Sequence, residues 1–170
     1  GSGCHALALP QMNKEVHAID ISPLSVVVMQ KRGVTHAFQI NLIDDNYLEK
    51  FDTILMLMNG TGIIGKLENM PLFFEKMKQL LNPEGCIYVD SSDLRYLFED
   101  EDGSFLIDLA SDYYGEIDFQ MQYKQIKGDP FYWLYVDFQT LSHYASEHGF
   151  RAELVEEGEH YDYLACLRLV

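Results

Sequence analysis

Two glycines and an aspartate carry the first chemistry in this chain. In Gly1-Ser2-Gly3-Cys4-His5-Ala6-Leu7-Ala8-Leu9 and Val16-His17-Ala18-Ile19-Asp20-Ile21-Ser22-Pro23, small residues lead into an apolar helix and then into a buried strand that ends on a carboxylate. Gly1 and Gly3 let a backbone approach a ligand closely, and an aspartate at the C-terminal end of a strand can accept hydrogen bonds from two ribose hydroxyls. That is half of a nucleoside site. A second glycine group, Asn59-Gly60-Thr61-Gly62-Ile63-Ile64-Gly65-Lys66-Leu67, follows a continuous apolar run over residues 51–58. Gly60, Gly62 and Gly65 fit the spacing of a dinucleotide fingerprint, and the next apolar run, 86–89, ends on Asp90, so a nicotinamide-dinucleotide oxidoreductase is one reading. Gly60, Gly65 and Lys66 nearly spell a phosphate-binding P-loop, but Leu67 stands where a hydroxyl should reach magnesium. The plain alternative for all three glycines is a turn.

The elements that must hold these residues follow from periodicity and end signals. A helix is expected over 23–32, with Ser22 as N-cap, Pro23 at the first helical position and Gly33 just beyond the end. A short strand is expected over 34–40, leading to the polar connection Asn41-Leu42-Ile43-Asp44-Asp45-Asn46. The run 51–58 reads as a fully buried parallel strand, and 71–81 as an amphipathic helix before the turn Asn82-Pro83-Glu84-Gly85. Residues 94–98 suggest a short helix and Glu99-Asp100-Glu101-Asp102-Gly103 an acidic turn. Residues 117–126 alternate apolar and polar, which predicts a strand, with 131–136 as its hairpin partner across Lys127-Gly128-Asp129-Pro130. Asp137 caps an expected helix over 138–148 closed by Gly149, and 151–157 and 161–170 read as a terminal strand pair.

This order of pieces resembles the class I S-adenosylmethionine-dependent methyltransferases. The match covers residues 1–90 as an ordered set: the glycine turn, the strand Ala-Ile-Asp-Ile-Ser-Pro, the buried strand with its loop, the helix, and the Asn-Pro-Glu-Gly turn into the next strand. The family's opening strand and first glycine have no counterpart, and His5 stands where many members carry a third glycine. The resemblance implies an α/β fold with a Rossmann-like, mostly parallel sheet, antiparallel C-terminal edge strands and a β-hairpin inserted after the fifth family strand. The first family strand is expected to be missing, the chain being truncated within the first glycine motif. It further implies S-adenosylmethionine as cofactor, held by Gly1, Gly3, Asp20, Ile21, Asn41, Met58, Asn59 and Gly60. Asp20 would grip the ribose and Asn41, with Asp44 as rival, the adenine amino group. One domain over 1–170 is expected, with 91–137 as a cover over the substrate.

Composition narrows the partners. The 170 residues carry a net charge of −15, which argues against a duplex nucleic-acid binder. No stretch is long and apolar enough to span a bilayer, so a cytoplasmic address is expected. Cys4, Cys86 and Cys166 are widely spaced in apolar surroundings and read as reduced core thiols, and neither they nor the six scattered histidines suggest a metal motif, so no metal is expected. The aromatic concentration Tyr113, Tyr114, Phe131, Tyr132, Trp133 and Tyr135 lies in the cover, where aromatic faces can hold a cation or an amine and where hairpin packing is the competing explanation. Asp90, Tyr113, Tyr114 and Trp133 are the candidate substrate contacts, with Asp90, Asp93 and Tyr114 as places for a base if the reaction uses one; no catalytic residue is assigned. The expected reaction is in-line methyl transfer to a small-molecule nucleophile, driven largely by alignment. Two other classes stay open: nicotinamide-dependent redox chemistry, and an inactive truncated domain or one that borrows its missing strand from a partner, as in a homodimer.

Overall fold

The computed structural model describes residues 1–100, 102–105 and 112–170. Glu101 of the expected acidic turn and residues 106–111 of the expected cover lie outside the described residues. The chain divides into two compact units, Gly1–Leu48 and Glu49–Val170.

In the first unit, helix α1 (Cys4–Ala8) and a 3-10 turn (Leu9–Met12) precede strand β1 (His17–Asp20), helix α2 (Pro23–Lys31) and strand β2 (His36–Gln39). β1 and β2 pair in parallel, His17 opposite His36 and Asp20 opposite Gln39. Gly3 takes φ +78° as the residue before α1, and a Cβ there would lie 2.9 Å from Val34 and 3.0 Å from Met29, so packing as well as backbone demands glycine. α2 begins as its sequence requires: Ser22 Oγ accepts the Ser25 N–H at 3.3 Å, Pro23 opens the helix, and Gly33 at φ +96° ends it. Ala6, Val26, Met29, Val34 and Ala37 form the core of this unit.

The second unit is built on a four-stranded sheet. β3 (Phe51–Met56) leads through 3-10 turns (Gly60–Ile64 and Leu67–Asn69) to α3 (Met70–Leu80) and then to the long strand β4 (Leu81–Ser92). A 3-10 turn (Leu94–Phe98) precedes strands β5 (Glu116–Phe119), β6 (Gln122–Tyr123), β7 (Ile126–Lys127) and β8 (Phe131–Leu134). Helix α4 (Phe138–Glu147) and strands β9 (Phe150–Glu157) and β10 (Asp162–Leu169) complete it. The sheet order is β3-β4-β10-β9, with β3 and β4 parallel and β10 antiparallel to both its neighbours, so the mixed α/β class and the antiparallel C-terminal edge are as expected. α3 turns Met70, Phe73, Phe74, Met77 and Leu80 inward at helical spacing, each at most 2% exposed. Phe74 packs on Phe150 with ring centroids 5.2 Å apart and on His148 at 5.6 Å. α4 is held at its start by Asp137, whose Oδ1 accepts the Thr140 N–H at 2.9 Å, and ends at Gly149 with φ +73°.

Two expectations about elements are corrected. β4 runs from Leu81 to Ser92 rather than over 86–89, because Asp90 and Ser91 find side-chain hydrogen-bond partners and can stay inside a buried strand. The expected strand over 117–126 is broken into β5, β6 and the first residue of β7. β5 pairs with β8, Ile117 opposite Trp133, while β6 and β7 make a separate two-residue hairpin closed by Gly128 N–H donating to the Met121 carbonyl at 2.9 Å. The inserted hairpin is present, with its turn at the β6–β7 tip.

Candidate active site

Asp20 is the last residue of β1, and the chain turns immediately behind it. Its Oδ1 accepts the Ser22 N–H at 2.8 Å, and the Gly1 backbone nitrogen lies against Oδ2. The structure therefore brings the opening glycine and the strand-end carboxylate together within one unit. Ile21, beside it, is 68% exposed. Asn41 closes its own turn: its Nδ2 donates to Asp44 Oδ2 at 2.6 Å, its Oδ1 accepts the Ile43 N–H at 3.1 Å, and its N–H donates to Asp45 Oδ2 at 2.6 Å. The two rivals for the adenine are thus hydrogen-bonded to each other.

In the second unit β3 stops at Met56, and Met58 and Asn59 both take left-handed backbone, φ +68° and +55°. For non-glycine residues that conformation needs outside support. Asp90 supplies it from β4: its two oxygens accept the Met58 and Gly60 N–H groups, each at 3.0 Å. Ser92 Oγ donates to Asn59 Oδ1 at 3.0 Å from the same strand. Gly60 is demanded by packing, since a Cβ would come within 2.7 Å of the Met56 side chain. The result is a rigid reversal that leaves the Met58 side chain 83% exposed at the strand end.

The remaining candidate contacts are structural partners in this arrangement. The Trp133 indole lies on Gly62, where an added Cβ would meet it at 1.8 Å. Tyr113 Oη donates to Asp137 Oδ2 at 2.7 Å, and Tyr114 Oη donates to Asp93 Oδ1 at 2.8 Å. Burial pushes both phenols well above their ordinary range, and the neighbouring Asp137 charge adds to this, so both stay protonated. Asp137 is pushed up by burial, but hydrogen bonds from Thr140, Tyr113 and Tyr114 outweigh this and hold its carboxyl below the usual range. The dinucleotide fingerprint loses its physical basis in the same geometry. Gly60 N–H is given to Asp90, Gly62 N–H to the Asn59 carbonyl and Gly65 N–H to the Gly62 carbonyl, so these amides do not form a pyrophosphate cradle.

Beside the Met58–Gly60 reversal lies a cavity of about 360 Å³, lined by Asn59, Ser92, Leu97, Phe119, Tyr135 and His160 among others. His160 comes from the β9–β10 turn, Leu97 from the turn after β4, and Phe119 and Tyr135 from the hairpin. Sequence reasoning missed His160, Leu97 and Phe119 as site residues. They sit in a turn, a short 3-10 segment and a strand with no shared motif, and only the tertiary fold brings them to one wall.

No family model matches the sequence, and no curated protein does. Solved structures do. An S-adenosylmethionine-dependent methyltransferase from Bacteroides fragilis, solved in complex with S-adenosyl-L-homocysteine, is 70% identical, with the match covering 100% of this chain and 69% of that one at a TM-score of 0.93. DhpI, solved as a DhpI-SAM-HEP complex, is 16% identical over 99% of this chain and 74% of its own, with a TM-score of 0.72. DesVI from Streptomyces venezuelae is 13% identical over 100% of this chain and 80% of its own, with a TM-score of 0.67. At these low identities the last two speak for the fold alone.

Proposed function

Because the chain belongs to the S-adenosylmethionine-dependent methyltransferases, we propose that Asp20 holds the ribose of that cofactor and that the cavity beside Asn59 receives the methyl acceptor. The fold is Rossmann-like α/β, the cofactor is S-adenosylmethionine, and the reaction is methyl transfer to a small molecule. Bound, the cofactor supplies an electrophilic methyl on a sulfonium. The residues present fit it: a carboxylate at a strand's end suits a vicinal diol, and a negatively charged chain suits a cationic donor. Asp20 is half-oriented already, with Oδ1 pinned by Ser22 N–H and its side chain 17% exposed. That pinned carboxylate is the observation that carries the reading.

The other cofactor contacts are assigned by the same logic. Gly1 and Gly3 give close backbone approach to the methionine portion, and Ile21 offers an exposed apolar face to the adenosine. Asn41 recognises the adenine amino group through its side-chain oxygen, which here accepts from Ile43. Met58, Asn59 and Gly60, on the reversal of the second unit, are the remaining residues proposed for the cofactor.

The cavity lining supports a neutral or amine-bearing acceptor. Among the described residues it contains no lysine or arginine to bind a carboxylate or phosphate, while Leu97 and Phe119 offer apolar wall and Tyr135, Ser92 and Asn59 polar anchors. Asp90, Tyr113, Tyr114 and Trp133 are not among the lining residues; Asp90 bears on the wall through the turn that carries Asn59, and Trp133 through Ile117, its partner across β5 and β8. His160 is placed to take the acceptor's proton, and alignment of acceptor with methyl supplies the larger part of the rate. The net charge of −15 supports a small molecule over nucleic acid. No helix of the described residues is long and apolar enough to cross a membrane, and the proposed address is the cytoplasm. A homodimer is the proposed assembly, which light scattering tests directly.

The test is calorimetric binding of S-adenosylhomocysteine to the chain and to Asp20→Asn. The substitution keeps an acceptor for Ser22 N–H but removes the charge that two hydroxyls would share. Hydrogen bonds to a charged group contribute about 1–1.5 kcal/mol more each than neutral ones, so the two together should lose about 2–3 kcal/mol, roughly a hundredfold in affinity. Equal affinity in the two proteins would refute the assignment.

A further inference from the structure

We propose that Glu15, His17 and His36 form a binding site for a divalent transition-metal cation of the zinc type, at the end of β1 opposite Asp20. His17 and His36 are the first residues of β1 and β2 and are direct partners in the parallel register, so both imidazoles project from one face of the pair. Their ring centroids are 5.0 Å apart. Glu15 reaches the same place from the segment just before β1, its Oε1 lying 3.8 Å from His17 Nε2. One ligand atom from each of the three residues lies within 4.8 Å of the other two.

A second observation fixes the chemistry of the pair. The Tyr47 hydroxyl is 2.6 Å from His17 Nδ1. An imidazole whose Nδ1 is engaged by an oxygen presents Nε2 as its ligand atom, the arrangement that orients metal-bound histidines. Phe38 packs against both imidazoles, with centroids 5.6 Å from His17 and 6.5 Å from His36, and walls the site on one side. The Glu15 side chain is 80% exposed and leaves the other side open to solvent and to an incoming ion. Zinc takes imidazole nitrogen and carboxylate oxygen at about 2.0–2.2 Å, so its ligands stand roughly 3.3–3.5 Å apart, and rotation of the exposed glutamate closes the remaining gap. Two imidazoles and one carboxylate suit zinc, nickel or copper rather than magnesium, and leave a fourth position for water.

The sequence does not announce this site, because His17 and His36 are separated in the chain and meet only through strand pairing. None of the three residues belongs to the proposed cofactor or acceptor contacts, so the site stands or falls independently of the methyltransferase reading. Its effect would be to tie β1 to β2.

The test uses the full chain without a polyhistidine tag, freed of metal by chelator and titrated with zinc chloride in a calorimeter, with magnesium chloride alongside. One zinc per chain is expected, no magnesium heat, and a rise in Tm with zinc. His36→Gln should weaken zinc at least about tenfold and remove the rise in Tm. Glu15→Gln, on an exposed side chain whose loss cannot unfold the protein, should weaken zinc several-fold. Absence of zinc binding, or binding in both variants equal to that of the unaltered chain, which would move the ion to residues such as Cys4 and His5, overturns the proposal.

Discussion

Ser91→Ala should destabilise the protein by about 3 kcal/mol through a single side-chain oxygen. Val136 N–H donates to Ser91 Oγ at 2.9 Å, the Ser91 and Thr61 hydroxyls lie 2.7 Å apart, and Thr61 Oγ1 donates to the Leu134 carbonyl at 3.0 Å. Each hydroxyl has one proton, so the chain runs from amide through Ser91 and Thr61 to carbonyl with every member satisfied. It is sealed from water, Ser91 being 1% exposed and Thr61 0%. Removing the serine oxygen strands the Val136 N–H, which costs about 1–3 kcal/mol, and removes one hydrogen bond of about 1 kcal/mol from Thr61. For a chain of this size, 3 kcal/mol corresponds to a fall in Tm of about 6–12 °C. Thr61→Val, which keeps the shape and leaves Ser91 able to accept from Val136, should cost about 1–2 kcal/mol. The two changes share a bond, so the double variant should be less destabilised than the sum by about 0.5–1.5 kcal/mol. Urea unfolding of the four proteins measures all three quantities. A cost for Ser91→Ala below about 0.5 kcal/mol, the size of an ordinary surface change, would show that water or rearrangement replaces the relay and would refute the reasoning.

Gly62→Ala places a methyl within 1.8 Å of the Trp133 indole, so the ring must leave its seat. The cost should be about 1–3 kcal/mol, and since Trp133 is the chain's one tryptophan, its fluorescence should shift to the red; unchanged emission and Tm would count against the packing described. Asp137→Asn tests the depressed carboxyl. A carboxyl whose folded pKa lies below its unfolded one contributes stability that is present above about pH 4 and is lost as pH falls through the folded value, so the unaltered chain should lose more stability between pH 7 and pH 3 than the variant. Parallel acid profiles would refute that cause.

Local signals were legible where a single residue decides them. Ser22, Pro23 and Gly33 mark both ends of α2, and Asp137 and Gly149 both ends of α4, because caps act over three or four residues. The alternation over 117–126 misled because periodicity says which residues share a face and not whether anything covers it. Met121, Tyr123 and Ile126 are 66%, 70% and 74% exposed, so the pattern continued past the part that packs. Spacing also could not say what the glycines were for. Gly60 answers to Met56 and Gly62 to Trp133, contacts made across the fold rather than along the chain. The strand-end aspartate was readable from order alone, whereas the cavity wall needs four separate segments to meet.

The groups that sequence offered as bases are already engaged, which favours the proposal that a histidine takes the proton. Asp90 is committed to the Met58 and Gly60 N–H groups, through which it holds the left-handed Met58–Asn59 turn. Asp93 is engaged by the Tyr114 hydroxyl and the Arg95 N–H at Oδ1 and by the Arg95 guanidinium at Oδ2, and Tyr114 is already protonated and committed to Asp93. His160 stands on the β9–β10 turn, on the cavity wall. His160→Gln should therefore lower kcat with phenol or amine acceptors by about 10²–10⁴-fold while leaving S-adenosylhomocysteine affinity within about twofold. Release of S-adenosylhomocysteine across a panel of small aromatic amines, phenols and matched carboxylates reads both points. Turnover unaffected by the change would remove His160 from the mechanism, and a preference for the carboxylates would remove the uncharged wall.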